Sequence, residues 1–160
     1  MKKSLLLLIT MIMLTGCADL YKLRDGEHKY ELDYFGEETY SELREEISDE
    51  DREELQPVMD LAEEAFSSFP DNEDRAKDEY GGLWVYTGYD HDPKTCTEKH
   101  SLELETGKVS GSSGYVWVNY SQEYFDQSGK LIEGSWKVRS RWTVEKQKSE
   151  WKVTKISEPA

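Results

Sequence analysis

The amino-acid sequence predicts an α+β domain, helices first and an antiparallel sheet after, and three observations carry that prediction. Charge divides the chain: residues 17–82 hold 7 basic and 23 acidic side chains, net −16, whereas residues 83–160 hold 11 of each. Apolar residues recur at helical spacing in the first part and with a period of two in the second. All five tryptophans, at positions 84, 117, 136, 142 and 151, fall in the second part, where large aromatic groups suit a pleated surface. The 160 residues are enough for one domain of ordinary size, and 36% hydrophobic with 12% aromatic residues is enough for a core. A formal charge of −14 excludes the basic footprint that nucleic-acid phosphates require.

The chain opens with a positive Met1-Lys2-Lys3-Ser4 and the apolar run Leu5 to Leu14, ten residues where a membrane span needs about 20. Leu14-Thr15-Gly16-Cys17 follows, with small residues directly before a cysteine. This segment resembles the bacterial lipoprotein signal, the lipobox. The resemblance implies cleavage between Gly16 and Cys17 and a diacylglyceryl group on the Cys17 sulfur, and therefore a domain held at a cell membrane or outer membrane on its extracytoplasmic side. Residues 1–16 are then the signal peptide, 17–36 the anchor cysteine and a polar tether, and 37–160 a single domain. With Cys17 carrying lipid, Cys96 has no intrachain partner.

In the first part Tyr40, Leu43 and Ile47 recur at helical spacing, and Leu55, Val58, Met59, Ala62, Phe66 and Phe69 continue the pattern after the capping candidates Ser48 and Asp51. The spacing predicts one helix over about 38–55 and another over about 57–69, with the bend at Pro57, because proline disrupts a helix interior. Pro70-Asp71-Asn72 is the predicted stop. The acidic residues between Glu42 and Glu54 read as a solvated face, since the ordered spacing of a calcium loop is missing.

The second part reads as five strands in a meander: residues 83–89, 101–105, 115–124, 136–145 and 151–156, joined by Thr106-Gly107-Lys108, Ser110 to Gly114, Asp126 to Lys130 and Lys146 to Glu150. In the fourth, Trp136, Val138, Ser140, Trp142 and Val144 share one face, with Lys137, Arg139 and Arg141 on the other. The third carries large apolar groups on both faces, which predicts a central strand covered on both sides.

Glu63 to Phe69, Gly114 to Tyr120, Trp142-Thr143-Val144-Glu145 and the closing Trp151-Lys152-Val153-Thr154-Lys155-Ile156-Ser157-Glu158 resemble the NTF2-like (cystatin-like, SnoaL-like) α+β fold. That resemblance implies N-terminal helices packed on a curved antiparallel sheet of about five strands, with a cone-shaped cavity between them. Phe66, Phe69, Trp84, Tyr115, Trp117, Trp136 and Trp142 are the expected cavity wall. Enzymes of the fold place an Asp, or an Asp–His pair, in the cavity with a tyrosine donor. Here the strand carboxylates Glu103, Glu105, Glu123 and Glu145 fall at positions that read as solvent-facing, so no catalytic residue is assigned.

His91, Cys96 and His100, with Asp90, Asp92 and Glu98 beside them, form a loop whose side chains can ligate zinc or copper. Their spacing matches no zinc pattern, and a polar hairpin connection containing Pro93-Lys94 explains the same composition. No metal or cofactor is expected. No P-loop, nucleophile elbow or dinucleotide fingerprint occurs in the chain. The functional expectation is a membrane-anchored extracytoplasmic lipoprotein that binds a small ligand or an envelope protein without catalysis. The alternatives are an envelope isomerase or hydrolase using a cavity carboxylate, and a structural module that forms a homodimer.

Overall fold

A computed structural model describes residues 29–159. The lipobox and Cys17 lie outside them. By compactness the chain divides between Ser41 and Glu42. Among its described residues the first unit contains two short helices, α1 (Lys29–Phe35) and α2 (Glu37–Tyr40), joined at Gly36, whose φ of 80° favours glycine. The Tyr40 hydroxyl donates to the Glu31 carboxylate at 2.9 Å. The last residues of the expected tether are thus helical.

The second unit holds the core. Helix α3 (Asp49–Ser67) starts at Ser48, whose side chain accepts from the Asp51 backbone N–H at 3.0 Å. Leu55, Val58, Met59, Ala62, Ala65 and Phe66 form its buried stripe. The predicted break at Pro57 does not occur, because the helix begins at Asp49 and runs through the proline. Burial of about 1.5–3 kcal/mol per large apolar side chain on either side of Pro57 outweighs its cost of about 3 kcal/mol.

The predicted stop at residues 70–72 is also a start. Asn72 accepts from the Arg75 N–H at 3.0 Å and caps α4 (Glu73–Tyr80). This helix escaped the hydrophobic pattern because only Ala76 and Tyr80 are buried. Its exposed side carries Arg75 between Asp71 and Glu79, and Lys77 on Glu73.

Residues 83–89 are not a strand. Gly81–Tyr86 forms a 3-10 turn in which Leu83 and Tyr86, three apart, are both buried, as that period requires. Gly82 lies so close to the Val153 carbonyl that a Cβ would overlap it. Among the described residues the sheet therefore has four strands rather than five, all antiparallel and in chain order: β1 (Cys96–Ser110), β2 (Ser113–Asp126), β3 (Leu131–Gln147) and β4 (Glu150–Ser157). Inward-facing Val116, Val118, Tyr120, Trp142, Val144 and Val153 meet the α3 stripe in one core.

The alternation of β3 breaks at a bulge where the register shifts between Tyr120 and Gln122 of β2. There Lys137 adopts φ 52° and donates its N–H to Ser121 Oγ at 2.9 Å. The extra residue turns Trp136 away from the face of Val138, Ser140 and Trp142, leaving it 54% exposed. Among the described residues, no helix is long and apolar enough to cross a membrane.

Candidate functional site

The space between α3 and the sheet is where a cone-shaped cavity would lie, and aromatic rings occupy it. Phe66 stacks on Tyr86 at 4.6 Å between centroids, Tyr120 meets both rings edge-on at 5.2 Å, and Trp142 lies 5.6 Å from Tyr86. All four residues are buried.

The polar atoms of this cluster satisfy one another. Trp142 Nε1 donates to the Tyr86 hydroxyl at 2.9 Å and to Ser140 Oγ at 3.0 Å. The Tyr86 hydroxyl donates to Glu158 at 3.1 Å, and the Tyr120 hydroxyl reaches the same carboxylate at 3.3 Å. Burial, reinforced by the Glu158 charge, raises the pKa of both phenols well above the usual tyrosine range, so they remain neutral donors. Gln122 completes the cluster by donating to the Phe66 and Tyr86 carbonyls at 3.2 and 2.8 Å. Among the described residues, no buried side-chain polar atom lacks a partner.

The residues expected to line one wall do not share one environment, and Trp136 is exposed. Phe66 and Trp142 are in the core. Phe69 is half-buried, edge-on to Tyr124, and Trp84 is half-buried in the 3-10 turn beneath the Lys77 ammonium. Tyr115 and Trp117 lie on the opposite face of the sheet from Val116 and Val118. Trp117 is fully buried there and donates to Glu42 at 2.8 Å. Arg141 clasps the same Glu42 at 2.7 and 2.9 Å and sits 5.1 Å from the Tyr115 ring centroid. Burial and the Glu45 and Glu42 charges push the Tyr115 hydroxyl up to about 12. Arg139 makes a two-pronged pair with Glu105 at 2.7 and 2.8 Å. Arg139 and Arg141 of the basic stripe thus bind carboxylates of the protein itself, Lys137 is exposed, and Glu42 helps cover the second face of β2.

The histidines and cysteine do not share a loop. Cys96, Glu98 and His100 belong to β1 and point to one face at every second residue. Cys96 and His100 are therefore about 13 Å apart along the strand, too far to share one metal ion. Cys96 is buried, and burial pushes its thiol up, away from the reactive thiolate. His91 stacks on Tyr124 at 4.1 Å. Among the described residues, no group of three or more ligating side chains could hold a metal.

His100 instead bridges two carboxylates. Its Nε2 is 2.8 Å from Glu63 of α3 and its Nδ1 is 3.1 Å from Glu98. Burial opposes the imidazolium, but the hydrogen bonds it donates to Glu63 and Glu98 outweigh that, and the pKa rises above 6.5. Burial also raises Glu98, against the pull of His100. The pattern of alternating residues could have paired Glu98 with His100 from sequence. Glu63 could not be found, because it is 37 residues away.

The concave surfaces lie outside the core. A groove of about 450 Å³ runs between α3 and the start of β4, with Pro57, Leu61 and Trp151 below and Glu53, Lys146 and Lys152 at its rim. Trp151 Nε1 donates to Glu54 at 2.8 Å across it. At the β2–β3 tip, Leu131, Ile132 and Trp136 form the most exposed apolar group of the sheet, beside half-buried Phe125. Trp136 lies over Gly134 and donates to Glu123 at 2.9 Å.

No known family and no curated protein matches the sequence. Among solved structures, the chain is similar to the intermembrane space region of the chloroplast protein ARC6, at 17% identity over 69% of this chain and 97% of that one, with a TM-score of 0.47.

Proposed function

We propose that the protein is a membrane-anchored extracytoplasmic lipoprotein whose domain, an NTF2-like fold with its cone filled, binds an envelope protein partner without catalysis. The observation that carries this reading is the occupied interior. Phe66, Tyr86, Tyr120 and Trp142 fill the space a substrate would need, and their polar atoms are bound to one another. Recognition then falls to the surface, where the Leu131, Ile132 and Trp136 tip supplies the aromatic and aliphatic anchors that protein interfaces favour. The anchor itself rests on Leu14-Thr15-Gly16-Cys17.

A second reading has one observation in its favour: Glu158 with the Tyr86 and Tyr120 donors is the carboxylate and phenol set of an isomerase or hydrolase. Native mass spectrometry of the chain purified from its own cells, combined with photo-crosslinking from position 132 in those cells, separates the two. A bare protein mass with one discrete protein adduct supports the binding module. A retained small molecule that is lost with Glu158→Gln favours the enzyme. For the anchor, Cys17→Ala should leave the chain unprocessed or mislocalised; a variant that still matures and stays at the membrane refutes it.

A further inference from the structure

The sheet ends in two edge strands, and the fold treats them differently. At β4 the Gly81–Tyr86 turn lies against the Val153 carbonyl. At the other edge, β1 runs for 15 residues and pairs only with β2 among the described residues. Bonding alternates along an antiparallel ladder, so every second residue of β1 turns its backbone N–H and C=O away from β2; near the end of the strand the Val109 N–H is taken by Asp51 at 2.9 Å, which leaves the stretch around Ser101 as the open part of the edge. Such an edge invites another strand.

Proteins blunt such edges with charge, and β1 carries Lys99 and Glu103, both exposed and on the same face as exposed Thr97 and Ser101. Their placement is self-complementary. Ser101 lies midway between them, and antiparallel pairing about a two-fold axis through Ser101 sets Lys99 of each copy opposite Glu103 of the other. A shift by two residues one way sets Lys99 opposite Ser101, and the other way sets it opposite Glu105, whose carboxylate Arg139 already holds at 2.7 and 2.8 Å. The same charges therefore deter foreign strands and select one register with a second copy.

We propose that two copies of this chain pair through their β1 edges, antiparallel about Ser101, joining two four-stranded sheets into one of eight strands. This goes beyond the proposed function, since it uses the edge opposite β4 rather than the hairpin tip, and it holds whatever the tip binds. Directly opposed residues in such a pair stand about 4.5–5.5 Å apart at Cα, within reach of a disulfide.

The test is oxidative crosslinking of the full chain in its own cells, read on a non-reducing gel after thiols are blocked. Ser101→Cys should shift the chain from the monomer band to twice its mass, while the chain with Ser101 intact and Glu103→Cys stay monomeric. In the Ser101→Cys background, Lys99→Glu should lose the dimer and Lys99→Glu with Glu103→Lys should regain it. Co-expressing Lys99→Glu with Glu103→Lys on separate Ser101→Cys chains should also regain it, as a heterodimer. Equal crosslinking from positions 101 and 103 would mean collision and overturn the proposal. So would a Ser101→Cys chain that remains monomeric, or a dimer indifferent to the charge reversals.

Discussion

Trp142 donates its indole N–H to the hydroxyl of Tyr86 at 2.9 Å, joining the third strand to a 3-10 turn 56 residues earlier. Ser140 Oγ stands 3.0 Å from the same nitrogen and 3.1 Å from the Tyr86 oxygen, so the indole has two acceptors. Removing one should cost little and removing both should cost much, because a buried donor without a partner carries its full desolvation penalty. Tyr86→Phe and Ser140→Ala should each destabilise by about 1–2 kcal/mol. Together they should exceed their sum by about 1 kcal/mol or more, since neighbours in one network are not additive. Urea unfolding of the double-mutant cycle measures this, and simple additivity would show that the indole finds another acceptor.

Trp117 faces away from that core, yet it is fully buried and bonded to Glu42. Trp117→Ala should cost about 3–5 kcal/mol, the range for a large buried aromatic. Trp117→Phe retains most of the ring and loses the bond to Glu42, for about 1–2 kcal/mol. Thermal or urea unfolding distinguishes them, and an alanine variant with unchanged stability would mean that this face does not support the fold.

His100 gives the stability a pH dependence of definite sign. Its folded pKa lies above the ordinary 6.5, so its contribution is complete below pH 6.5 and is lost as pH rises through the folded value. Glu98 acts in the same direction from its ordinary 4.5 upward, because burial raises its pKa and charging it opposes folding. Stability should therefore decline as pH climbs through and beyond 6.5. His100→Asn should flatten that decline, and Glu63→Gln should lower the imidazole pKa seen by NMR. A His100 resonance titrating at or below 6.5 would contradict the bridge between the two carboxylates.

The parts of the fold visible in the sequence were those encoded by local period. Val116, Val118 and Tyr120 gave the central strand, and Leu55, Val58, Met59 and Ala62 gave the helix face. Residues 83–89 misled because Leu, Trp, Val and Tyr favour strands, while the deciding constraint is the approach of Gly82 to Val153, some 70 positions away. Trp136 misled because one inserted residue at Lys137 reverses which face a side chain takes, and an ordinary lysine does not announce a bulge. The candidate site was legible only as a roster of aromatics. Whether they line a cavity or fill it depends on long-range bonds such as Tyr86 to Glu158 and His100 to Glu63.

Pro57 offers the cleanest test of local propensity against tertiary packing. It sits in the interior of α3, is exposed, and lines the groove beside Trp151. An interior proline lacks the N–H that would bond to the carbonyl four residues back, here that of Glu53, and its ring crowds that carbonyl. Because little of Pro57 is buried, Pro57→Ala should restore the bond with almost no loss of packing. The alanine chain should be more stable by about 1–3 kcal/mol, the upper end being the full propensity difference. The gain should stop short of that limit, since proline also restricts the unfolded chain and alanine gives up that restriction. Urea unfolding would show it as a higher midpoint with an unchanged slope. A lower midpoint would mean that Pro57 packs productively with Leu61 and Trp151 in the groove, rather than being a tolerated defect of the helix.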